Sequence, residues 1–92
     1  MNTHTVYVLT ETYDSAIADS PLKGVFPSWA ECMNGVRDEL GNVEEGMVPS
    51  IMFEFNRHLG EAEPNSALLA MVEILPGQFL HVNRFEVSTM ND

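Results

Sequence analysis

Residues 24–41 decide how this chain folds: Gly24-Val25-Phe26-Pro27-Ser28-Trp29-Ala30-Glu31-Cys32-Met33-Asn34-Gly35-Val36-Arg37-Asp38-Glu39-Leu40-Gly41. Leu22 to Phe26 reads as a short strand, and Pro27-Ser28 opens something different. Ser28 followed three residues later by Glu31 is a capping box. The Ser hydroxyl accepts from the amide of residue 31, and the Glu carboxylate reaches back to the amide of residue 28. Trp29, Cys32, Met33, Val36 and Leu40 then recur at helical spacing, which predicts a helix over about 29–40 with one apolar face. Gly41 is placed to end it in the left-handed C′ conformation. Gly35 weakens such a helix by up to ~1 kcal/mol relative to Ala, a cost that a close contact with a sheet would explain. Asp38 and Glu39 occupy the last turn, where the helix dipole disfavours anions, so local stability does not account for them.

Outward from this junction the chain alternates between strand and helix chemistry. Thr5-Val6-Tyr7-Val8-Leu9-Thr10 is a strand, with Val6 and Val8 on one face and Tyr7 and Leu9 on the other. Residues 11–20 are polar and small and suit a hairpin loop, long by the usual measure of about five residues. Residues 42–48 read as a linker. Pro49 to Leu59 fits a helix through Ile51, Met52, Phe55 and Leu59, and a strand through Ile51, Phe53 and Phe55; the preceding Pro49-Ser50 and the following Gly60 favour the helix. After a loop at 60–66, Ala67–Leu75 fits a helix by its Ala, Leu and Met content, or a strand; the Pro76-Gly77-Gln78 between it and the strand Phe79–Val87 is turn chemistry that favours a hairpin of strands. Alternation slips between Val82 and Phe85, the mark of a bulge or of apolar contact on both faces. The expected fold is α+β, a small, mainly antiparallel sheet packed on one or two helices in the order β-β-α-(α)-β-β. It forms a single domain over residues 1–92, with 1–4 and 89–92 as flexible tails.

The charge narrows function. Among 92 residues, 14 are Asp or Glu and only four are Lys or Arg, for a formal net charge of −10. The acids are dispersed, so the imbalance comes mainly from missing bases: Lys23, Arg37, Arg57 and Arg84. Direct nucleic-acid binding, which depends on Lys and Arg, is excluded as an expectation. Disorder is excluded by a hydrophobic content of 45% with five Phe, two Tyr and one Trp. Most carboxylates have no intramolecular base to meet, so they are solvated or face a cationic partner. The N-terminus lacks the basic and apolar regions of a signal peptide. No apolar run approaches the ~20 residues of a membrane-spanning helix, and the single Cys32 cannot form an internal disulfide. A cytoplasmic location and no membrane partner are the expectation.

The remaining constellations favour ordinary roles. His58 with Glu54 and Glu61, and Cys32, His4 and His81 elsewhere, show no metal-ligand spacing, and Cys32 reads as a small buried apolar residue. Gly41, Gly46 and Gly60 form no phosphate-binding fingerprint, and pairs such as Glu61 with Glu63 advertise no acid–base cleft. No catalytic residue, metal or cofactor is expected. Trp29 reads as a core anchor before an interface anchor, and Met33, Met52 and Met71 as core filler.

The opening Val6-Tyr7-Val8-Leu9-Thr10, the Gly24-Val25-Phe26-Pro27-Ser28 junction and the closing Arg84-Phe85-Glu86-Val87 resemble a class of small, largely uncharacterised phage and bacterial α+β domains. The resemblance covers roughly residues 5–40 and 79–88 and carries no catalytic residues. It implies a small accessory protein of phage context, where acidic proteins such as anti-CRISPR proteins bind and block host factors. The functional expectation is a non-enzymatic acidic inhibitor that binds a basic surface of a host nucleic-acid-handling protein through Glu31, Asp38, Glu39, Glu44 and Glu45. The alternative is a self-associating structural or regulatory module with an apolar interface, a homodimer paired through an edge strand.

Overall fold

The computed structural model describes residues 2–13 and 16–89. The elements run β1 (Asn2–Tyr13), β2 (Ala16–Phe26), α1 (Trp29–Glu39), a 3-10 turn (Glu45–Met47), α2 (Val48–Glu61), β3 (Leu68–Leu75) and β4 (Gln78–Thr89). All four strands form one antiparallel sheet in the order β2-β1-β4-β3. This is the expected α+β architecture, with the optional second helix present and residues 49–59 helical.

The capping box forms in part. Ser28 Oγ accepts from the Glu31 amide at 3.2 Å, while the Glu31 carboxylate accepts from the Ser28 hydroxyl at 3.3 Å in place of the residue-28 amide. Gly35 sits where expected, against the sheet. A Cβ there would enter the ring of Phe26, and one on Gly24 would lie 2.6 Å from the same ring, so the two glycines make the slot that holds Phe26. Gly41 does not adopt the left-handed conformation. Leu40 ends the helix instead, its amide donating to the Arg37 carbonyl at 3.1 Å. Among the described residues only Gly77 has positive φ, 77°, as the second central position of a type II turn requires, with Pro76 at the first.

The core lies between one face of the sheet and the two helices. Leu9, Val72, Leu80 and Val82 come from the strands, Cys32, Met33 and Val36 from α1, and Ile51, Met52 and Phe55 from α2. Strand parity explains this set. Tyr7 and Leu9 point toward the helices and Val6 and Val8 away, and β4 sends Leu80 and Val82 inward and Phe85 and Val87 outward. The slip between Val82 and Phe85 therefore reflects apolar residues on both faces, the inner pair buried and the outer pair exposed. Pairing of β1 with β4 runs unbroken, and the bulge lies across from it in β3, between Leu68 and Ala70.

Four further expectations are corrected. Residues 11–20 are not a loop: β1 continues to Tyr13, β2 begins at Ala16, and these two residues pair; Asp14 and Ser15 lie outside the described residues. The cause is β4, which pairs with β1 as far as Tyr13↔Gln78 and imposes strand geometry on a polar stretch. Residues 42–48 are not wholly a linker, since Glu45–Met47 form the 3-10 turn that leads into α2. Met71 is not core, because Ala70, Val72 and Ile74 take the inward positions of β3. Residues 2–4, read as a tail, pair with residues 87–89; the remainder of the two tails, residue 1 and residues 90–92, lies outside the described residues.

Candidate partner-binding surface

The sheet and α1 together bring three of the five proposed contact residues into one place. Glu31, Asp38 and Glu39 line a shallow recess of about 280 Å³ with Lys23, Phe26, Asn34 and Gly35. Glu31 and Asp38 are seven residues apart, two turns of the same helix face, and both are exposed. Glu39 is drawn in by Lys23 of β2, whose Nζ lies 3.9 Å from its carboxylate. That contact supplies the reason for an acid in the last helical turn that the helix alone lacks. Glu44 and Glu45 are exposed at the start of the 3-10 turn and lie outside the recess.

Lys23 serves two masters. It also pairs at 3.3 Å with Glu11, a residue only 5% exposed whose carboxylate accepts from the Gln78 amide as well. The Glu11 hydrogen bond and charge hold the Lys23 ammonium above its ordinary range. Sequence reasoning placed Glu11 in a loop and missed this pair. The β-forming Thr12, Tyr13 and Ile17 around it were the available signal.

Arg57 and Arg84 are also engaged by the protein's own oxygens, whereas Arg37 of α1 is exposed and makes no ion pair among the described residues. Arg57 donates to Glu54 and Glu61 along α2, raising its own pKa and lowering that of Glu54. Arg84 donates to the Pro64 and Ser66 carbonyls at 2.6 and 3.2 Å and so ties the α2–β3 loop to β4. Among the described residues, Glu31, Asp38, Glu44 and Glu45 make no ion pair. Their charge faces outward uncompensated.

Trp29 joins the layers. Its ring meets Tyr7 edge-on with centroids 6.1 Å apart, and its indole N–H donates to Asn56 of α2 at 2.9 Å. It is half-buried against the core, so it fixes α1, and with it the acidic recess, to α2 and the sheet. Cys32 is buried, and desolvation pushes its thiol to about 11, the state of an inert core cysteine. His58 lies 3.8 Å from Glu54 and its Nδ1 accepts from the Met71 amide at 3.4 Å. Among the described residues no three His, Cys, Asp or Glu side chains gather as metal ligands, and no helix is long and apolar enough to cross a membrane.

The opposite face of the sheet is open and mainly apolar. Leu22 (57% exposed), Val25 (54%), Phe85 (47%) and Met71 (45%) lie on it with Val6, Val8 and Val87. Near its middle the Thr12 hydroxyl and His81 Nε2 are 2.7 Å apart. Burial holds His81 below its ordinary 6.5. The unfolded chain therefore takes up this proton first as pH falls, so His81 contributes stability that is present above 6.5 and lost as pH drops through the lower folded value. The urea midpoint is expected to fall more between about pH 7.5 and pH 5.5 for the native protein than for His81→Gln. Equal falls would show that His81 carries no linkage.

No family model, curated protein or solved structure matches the chain.

Proposed function

We propose that the protein is a non-enzymatic, protein-binding inhibitor that engages a basic surface of a nucleic-acid-handling protein, as phage anti-CRISPR proteins do, in the cytoplasm of a bacterial host. One observation carries this reading. Lys23, Arg57 and Arg84 are engaged by internal oxygens, while Glu31, Asp38, Glu44 and Glu45 make no ion pair among the described residues. A negative surface of this kind repels phosphate and attracts Lys and Arg. The mechanism is charge complementarity: carboxylates of the α1 recess occupy cationic sites otherwise used for phosphates, and the net charge of −10 steers the encounter.

Affinity capture from bacterial lysate at low and high salt identifies the partner, and titration of the purified pair tests the surface. Binding is expected to weaken about 10- to 100-fold across that salt range, and about 100-fold in a Glu31→Lys/Asp38→Lys/Glu39→Lys variant. A Glu44→Lys/Glu45→Lys variant is expected to lose less, because those residues lie outside the recess. Unchanged affinity in the triple variant would sink the proposal.

A further inference from the structure

We propose that the open face of the sheet is the contact between two copies of this chain, packed sheet against sheet about a two-fold axis. The face is built from Val6 and Val8 of β1, Leu22 and Val25 of β2, and Phe85 and Val87 of β4, with Met71 at the β3 edge. Both helices pack on the other face. Exposed apolar residues scattered singly need no explanation, but a contiguous patch on a sheet marks an interface.

Charge selects the occupant. Among the residues with an assigned partner in the sheet, Glu73 of β3, opposite Phe79, is the one carboxylate whose strand position puts it on this face. It stands at a corner of the sheet. The carboxylates of Glu31, Asp38 and Glu39 sit on or beside α1 and those of Glu54 and Glu61 on α2, in the helical layer. A partner with a basic surface gains nothing from an uncharged face. A second copy, itself strongly acidic, can approach closely only where its acids are absent, and face-to-face packing puts both helical layers on the outside.

Size and shape agree. Four strands about 4.8 Å apart, each with about eight paired residues at ~3.4 Å, make a face of roughly 19 by 27 Å, or about 500 Å². Two such faces supply about 1,000 Å², the threshold for a specific interface. Valine, phenylalanine, leucine and threonine side chains alternating along twisted strands are the surface by which sheets stack about 10 Å apart in sandwiches. Edge-to-edge pairing fits less well at β3, because the Met71 amide is already taken by His58 of α2. The dimer rests on the sheet face alone, so it stands or falls separately from the acidic recess.

Sedimentation equilibrium over a wide concentration range, at low and high salt, is expected to show reversible association to twice the 10.3 kDa chain mass, undiminished by salt. Phe85→Lys and Val25→Lys, both at exposed positions, are each expected to weaken it about 100-fold, because each places a cation in a dry interface. Glu31→Lys is expected to leave it intact. In a mixed sample of labelled and unlabelled chains, isotope-filtered NOEs are expected between Phe85 or Val25 of one copy and the same face of the other, a readout that needs no variant. A chain that stays monomeric throughout overturns the proposal. So does a dimer unaffected by both substitutions, or intermolecular NOEs confined to the helices.

Discussion

Phe55→Ala is expected to lower the unfolding free energy by about 3–5 kcal/mol, whereas Phe53→Ala two residues away is expected to change it by less than about 0.5 kcal/mol. The two rings share a helix and a chemistry and differ only in direction. Phe55 is fully buried in the core among Ile51 and Met52, and Phe53 is 64% exposed. Truncating Phe55 removes its transfer free energy and leaves a cavity that the surrounding strands and helices cannot fully close. A small domain has about 5–15 kcal/mol of stability in total, so this change approaches the limit of what the fold tolerates. Urea titration followed by circular dichroism gives both values. Comparable losses for the two variants would mean that α2 presents another face to the sheet. The effect also reaches the acidic recess, since Asn56 on the next position of α2 holds the Trp29 indole at the start of α1.

Lys23→Met is expected to cost about 1–3 kcal/mol, and Glu11→Leu added to it is expected to restore most of that loss. The first change leaves the carboxylate of Glu11, a residue 5% exposed, with the Gln78 amide but no cation, and a buried acceptor charge without its partner bears its desolvation penalty in full. The second change removes the stranded charge and supplies apolar volume where the strand already faces the core. A double-mutant cycle measured by urea unfolding should therefore show strong coupling. Simple additivity of the two substitutions would show that the pair is not a unit. Lys23→Met has a further expected effect on the proposed function. It frees Glu39, so partner binding through the recess should tighten even as the fold weakens.

Much of this architecture can be read from residue order. The Ser28–Glu31 spacing and the apolar period after it locate α1 to within a residue, because caps and helical periodicity are local signals. Phe53 shows why α2 was ambiguous: an apolar residue on the solvent side completes a false alternation with Ile51 and Phe55. The polar stretch 11–20 misleads for a different reason. Its strand character comes from β4, more than sixty residues downstream, and Glu11 is tolerable there only because Lys23 and Gln78 converge on it. The candidate site was legible as single residues and not as a surface. Of the five candidate carboxylates, Glu31, Asp38, Glu39, Glu44 and Glu45, the fold brings Glu31, Asp38 and Glu39 together around Lys23, a residue from another element. The open sheet face was visible only as a broken alternation near Val82 and Phe85, whose two explanations no local rule could separate.

The sheet order β2-β1-β4-β3 places the first and last strands side by side at its centre, with Asn2 opposite Thr89. During synthesis β1 must wait for its central partner until β4 has been made. The core seam cannot close earlier, because Leu9 meets Val82 across it. Such distant pairing has a large loop-closure cost before any contact repays it, so the chain is a slow folder for its size. An interval of exposed strand surface follows, during which the net charge of −10 keeps waiting chains apart.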